Sequence, residues 1–123
     1  MRVFHCDVCA QTLYFENSDC IKCGHTLAYL PELGAMTALA PAASEGRWQV
    51  LCATWQGGEV RLCENYVGPG VCNWAVPDTD PESLCQSCRL TRVLPDLDVP
   101  GNRQAWAKLE TAKRRVVFTL LDL

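Results

Sequence analysis

Nine cysteines are the residues of this 123-residue chain best suited to chemistry, at positions 6, 9, 20, 23, 52, 63, 72, 85 and 88. They include three C-x-x-C pairs: Cys6/Cys9, Cys20/Cys23 and Cys85/Cys88. A C-x-x-C turn aims two thiolates at one cation, and its backbone amides donate to the sulfurs. Two such turns complete a tetrahedral shell with Zn–S near ~2.3 Å. Cys6, Cys9, Cys20 and Cys23 stand as C-x2-C-x10-C-x2-C, a spacing that predicts one closed four-thiolate site. Cys63, Cys72, Cys85 and Cys88 stand as C-x8-C-x12-C-x2-C. This second set is less regular, and the competing reading is that Cys63 or Cys72 is a small buried hydrophobe. Cys52 lies in the apolar run Trp48–Trp55 and is expected to be a buried, inert thiol on a strand.

The expected metal is Zn2+, two per chain. Iron in a rubredoxin-like shell and electron transfer is the lesser alternative, because tetrahedral sulfur suits both metals. Haem attachment needs His directly after a C-x-x-C pair, and the residues there are Ala10, Gly24 and Arg89. A catalytic zinc keeps an open position and usually takes His or carboxylate ligands. The only histidines, His5 and His25, flank the first set and form no His-Glu-x-x-His pattern. Either could replace a Cys, but four thiolates already close a shell, so an exposed or sulfur-facing imidazole is the expected role. No catalytic residue is assigned, and the chain is not expected to be an enzyme.

The elements that must position these sulfurs follow from the residues between them. Tyr14-Phe15 suit a strand and Asn17-Ser18-Asp19 a turn, with Gly24 supplying a permissive backbone after Cys23. His25–Leu30 is predicted to be a return strand. These features define a first zinc ribbon over residues 1–30. Residues 31–46, rich in Ala and Pro, are predicted to be a surface connector. Strands are expected over 47–55 and 59–63, joined at Gly57-Gly58, within a second zinc-binding β module spanning 47–101. Residues 102–123 carry Trp106, Leu109, Ala112 or Lys113, Val116 and Leu120 at helical spacing, with Asn102 as N-cap. The expected fold is small and mainly β: two ribbon-like four-cysteine modules with short antiparallel strands and a C-terminal amphipathic α-helix. Trp48, Trp55, Trp74 and Trp106 are assigned chiefly to the core.

Charge and composition narrow the partners. Hydrophobic residues make up 49% and charged residues 20%, which argues against wholesale disorder. No apolar run reaches the ~18 residues of a membrane span. The opening Met1–Asp7 meets charge and a Cys before an apolar signal core could form, so the cytoplasm is the expected compartment. The formal charge is −3. Each filled zinc–thiolate site adds a further −2, which disfavours nucleic acid as a partner, although a nucleic-acid-binding zinc ribbon is the runner-up reading. The basic residues of the last segment, among them Arg103, Lys108 and Arg115, are expected to be a solvated helix face.

Several motifs together resemble a known family. They are Phe4-His5-Cys6-Asp7-Val8-Cys9, Phe15-Glu16-Asn17, Cys20-Ile21-Lys22-Cys23-Gly24, Gly70-Val71-Cys72-Asn73-Trp74, Cys85-Gln86-Ser87-Cys88-Arg89 and Val93–Leu97, continuing through Pro100–Trp106 to Lys113–Arg115. Over nearly the whole chain they resemble a bacterial zinc-ribbon domain family found N-terminal to zinc-binding metallopeptidases. The resemblance implies that Cys63, Cys72, Cys85 and Cys88 form a second structural site. It also implies that the 102–123 helix links into a further domain; the apolar end of that helix by itself also allows a protein partner or a homodimer. It transfers no peptidase activity, because no residue here matches a catalytic motif.

Overall fold

A computed structural model of the chain describes residues 3–121. Two short strands, β1 (Phe4–His5) and β2 (Thr12–Leu13), pair antiparallel around the first C-x-x-C turn. Five further strands form an antiparallel sheet in sequence order: β3 (Thr26–Leu30), β4 (Ala35–Pro41), β5 (Trp48–Val50), β6 (Val60–Leu62) and β7 (Ala75–Pro77). The sheet curls until its two outer strands meet. Tyr29 of β3 bridges Trp74 beside β7 in parallel, and the Tyr29 amide donates to the Asn73 carbonyl at 3.0 Å. A one-turn helix α1 (Glu64–Val67) follows Cys63, and a long helix α2 (Asn102–Leu121) closes the described chain.

β3 is buried on both faces, which explains its continuous apolar run Leu27-Ala28-Tyr29-Leu30. Leu27 and Tyr29 join a core with Phe4, Phe15, Met36, Trp74 and Val117. Ala28 and Leu30 join a second, inside the curl of the sheet, with Leu39, Val60 and Ala75. The larger core holds sulfurs from both cysteine sets, so the two modules share an interior. Phe15, Tyr29, Trp74 and Phe118 pack ring against ring at its centre, with centroids 4.8–6.0 Å apart.

Four expectations need correction. Residues 31–46, expected to be a surface connector, contain β4, the longest strand, with Met36, Thr37, Ala38 and Leu39 buried. Its alternation is masked because small Ala and Thr fill a sheet covered on both faces. Second, the return strand expected over His25–Leu30 is present as β3 but one residue shorter, and it pairs along its length with β4, within the residues expected to be a connector. Third, the strand predicted over 47–55 is only Trp48–Val50, and Cys52 lies in the turn beyond it, half-buried, with its Sγ 3.2 Å from Thr54 Oγ1.

The fourth correction concerns α2. Its buried residues are Trp106, Glu110, Arg114 and Val117, whereas Leu109 (70%), Val116 (59%) and Leu120 (62%) stand exposed. Only Trp106 of the predicted stripe faces inward. Glu110 and Arg114 can be buried because each is hydrogen-bonded, which removes most of the penalty for desolvation. Glu110 Oε1 accepts from Trp106 Nε1 and Thr91 Oγ1, both at 2.8 Å, and Oε2 pairs with Lys113 Nζ at 2.8 Å. Asn102 lies inside the helix and its side chain donates to the Asp96 carbonyl instead of capping. Asp122 and Leu123, the end of the predicted helix, fall outside the described residues. Among the described residues no helix is long and apolar enough to cross a membrane.

Candidate metal centres

The first centre is built by two turns with the same backbone pattern. The Cys6 amide donates to the Gln11 carbonyl at 2.8 Å and the Ala10 amide to the Cys6 carbonyl at 2.9 Å. Fourteen residues later the Cys20 amide donates to His25 and the Gly24 amide to Cys20, both at 2.9 Å. Each turn requires a left-handed residue after its second Cys. Gly24 (φ 78°) meets the requirement freely, and Ala10 (φ 63°) meets it despite its Cβ. The turns face each other, with Cys6 and Cys23 Sγ 3.6 Å apart and Cys9 and Cys20 Sγ 3.5 Å apart. His25 Nδ1 sits 3.2 Å from Cys23 Sγ, in contact with a sulfur and not in place of one. His5 is exposed on β1.

The second centre gathers sulfurs from four places. Cys63 follows β6 and precedes α1, Cys72 lies just before β7, and Cys85 and Cys88 flank the entry to a single 3₁₀ turn, Cys88–Leu90. Cys72 and Cys85 Sγ are 3.7 Å apart. Backbone amides converge on the sulfurs: Trp74 to Cys72 at 3.4 Å, Cys85 to Cys63 at 3.3 Å and Cys88 to Cys85 at 3.4 Å. All four cysteines are buried, whereas Cys9 and Cys23 of the first centre are only partly so. Ser87 Oγ is buried without a hydrogen-bond partner, a spare donor one residue from Cys88.

Both donor sets fit a tetrahedral cation. Within each set all four sulfurs lie within 4.8 Å of one another. Zn–S bonds of ~2.3 Å imply a tetrahedral edge of about 3.8 Å, close to the separations just given. A disulfide would need about 2.05 Å. The electrostatics also suit a cation. The Cys72, Cys85 and Cys88 sulfurs hold the Cys63 thiol well below its ordinary value, and in turn the Cys63 sulfur pushes Cys72 and Cys85 up. The Cys23 amide, foremost, draws the Cys20 thiol down to about 6. Four thiolates packed this closely repel one another, and a divalent cation makes their complete deprotonation favourable. Cys52 stands outside both sets.

Side chains remote in sequence hold the two centres together, and no spacing rule points to them. Asp7, inside the first C-x-x-C turn, accepts the Ala38 amide of β4 at 2.9 Å. Asn73, next to Cys72, donates through Nδ2 to the Phe15 and Asn17 carbonyls at 2.8 and 2.9 Å. The Tyr66 hydroxyl on α1 lies 2.7 Å from the Leu27 carbonyl and 3.0 Å from that of Ser18.

Comparison with known proteins agrees with this geometry. A family model described as a zinc-ribbon domain matches residues 3–99. Uncharacterized proteins from Mycobacterium bovis and Mycobacterium tuberculosis are each 37% identical over all 123 residues. The chain spans 31% of the length of these curated relatives. No solved structure matches it.

Proposed function

Because this chain belongs to the zinc-ribbon domain family, we propose that it is a non-catalytic, zinc-stapled module for protein interaction, the N-terminal part of a larger zinc-binding metallopeptidase. The observation that carries the zinc reading is the convergence of eight sulfurs into two sets of four, each small enough for one tetrahedral ion. Cys6, Cys9, Cys20 and Cys23 hold one ion; Cys63, Cys72, Cys85 and Cys88 hold the other. When bound, each ion cross-links distant segments and neutralises part of the thiolate charge. A closed four-thiolate shell leaves no position for substrate, so the role is structural. The longer context rests on the length of the relatives, about three times that of this chain. The interaction role rests on α2, whose exposed Leu109, Val116 and Leu120 form an unpaired apolar stripe.

Metal analysis of purified protein tests the reading. Two zinc per chain and a colourless spectrum are expected, and a coloured iron–thiolate spectrum would overturn the zinc assignment. A strong chelator should unfold both modules, and Cys20→Ser should lower the content to one zinc. Cys52→Ser should leave it at two, and loss of a zinc there would refute the ligand sets.

A further inference from the structure

A groove of about 620 Å3 opens between the β4–β5 turn, α1 and the loop entering the first centre. Its apolar wall includes Trp48, Leu62 and Tyr66, and Asp19 and Glu45 line it from opposite segments. A second hollow of about 240 Å3 continues past Thr26, Pro41 and Trp48, which border both, to Cys23 and His25. The Tyr66 ring is fixed by its hydroxyl contacts with two backbone carbonyls, so the apolar wall is preformed. This volume suits about two or three side chains and not a folded domain.

Charge selects the occupant. Glu45 is exposed and has no ion pair among the described residues. Arg47, the one cation among the lining residues, is held by Asp78 at 2.7 Å. A filled four-thiolate centre behind Cys23 carries net −2, and residues 1–88 hold four basic against ten acidic residues. Aromatic walls under negative charge favour ammonium or guanidinium groups, whose long apolar stems can lie along Trp48 and Tyr66. The same charge repels phosphate.

We propose that this groove binds an extended, basic segment of a partner protein, with a Lys or Arg side chain lodged between Trp48, Tyr66 and the Asp19–Glu45 rim. The proposal rests on the interaction-module reading and names the chemistry of its partner.

The test titrates the zinc-loaded chain with an unlabelled peptide, acetyl-Ala-Lys-Pro-Leu-Lys-Pro-Ala-amide, whose prolines keep it extended. Its control has Glu in place of both Lys. The Lys peptide should bind at low ionic strength, weaken as salt rises, and shift the NMR signals of Trp48, Tyr66 and Glu45. The Glu peptide should not bind. Glu45→Lys, at an exposed turn, should weaken binding about ten-fold, and Val67→Lys, at a groove-lining position 72% exposed, should set a like charge against the peptide and weaken it too. Equal binding of both peptides, signal shifts confined elsewhere, or indifference to both variants overturns the groove. So does absence of binding by protein that retains two zinc per chain, a result that leaves the zinc-stapled module standing.

Discussion

Arg114 Nη1 donates to the backbone carbonyl of Val71 at 2.6 Å, across 43 residues of chain. Val71 precedes Cys72, so α2 is fastened to a loop that carries a sulfur of the second centre. On the other side of that centre, Thr91 receives the Lys113 ammonium and donates to Glu110, and its amide bonds to Cys88. The helix is thus positioned by both arms of the site.

Truncating Arg114 leaves a buried carbonyl without its charged donor, which costs about 1–3 kcal/mol. Arg114→Ala should lower stability by that amount in denaturant unfolding of zinc-loaded protein while zinc content stays at two. Arg114→Lys should not fully rescue, because one ammonium cannot reproduce the fork that also reaches Thr111 Oγ1 at 3.1 Å. Full rescue by Lys would show that charge alone matters.

Asn73→Ala removes one amide that serves two carbonyls of the first module, Phe15 and Asn17. A loss of about 2 kcal/mol is expected, with faster hydrogen exchange in residues 14–18. Unchanged exchange there would mean the tie is energetically idle.

The matched turns of the first centre predict opposite effects from exchanging their left-handed residues. Ala10→Gly should stabilise by about 1 kcal/mol, and Gly24→Ala should destabilise by a similar amount. Nothing lies within 4 Å of a Cβ added at Gly24, so the effect there is backbone strain alone. Urea unfolding of the two variants checks the pair, and shifts of the same sign would refute the shared conformation.

The Cys20 thiol is held down to about 6 from 9.0, first by the Cys23 amide. A group depressed on folding contributes stability that is complete above its unfolded value and lost as pH falls through its folded value. Bound zinc acts with the same sign, since its ligands must be deprotonated. Zinc release, followed with a colorimetric chelator, should therefore increase as pH is lowered and not as it is raised. Release on raising pH from 6 to 9 would contradict the sign.

What the sequence revealed depended on how far each interaction reaches along the chain. The first four-sulfur set was legible because C-x-x-C spacing is a local constraint with one dominant chemical use; in the second only Cys85 and Cys88 carry that signal, and the family resemblance is what joined Cys63 and Cys72 to them. The mainly β fold and the long helix followed from turn residues and periodicity. β4 escaped notice because consecutive residues Met36–Leu39 are buried on both faces of the sheet and so show no polar alternation. The facing of α2 was misjudged because hydrophobicity ranks Leu109 above Glu110. The partners that make Glu110 a buried residue, Thr91 and the Trp106 indole, are not recoverable from its own type. Asp7, Asn73 and Tyr66 left no signal for the same reason: each bonds to backbone carbonyls or amides that any residue would present.

The bridge between Tyr29 and Trp74 has a bearing on solubility. An open five-stranded sheet has two outer strands whose unpaired amides and carbonyls can template another chain, the usual start of edge-to-edge aggregation. Here β3 and β7 lie against each other, and Trp74, fully buried, seals the seam between them. Surface Leu and Val residues of α2 can then meet other molecules side chain to side chain, while the backbone of the sheet is kept from joining a growing fibril.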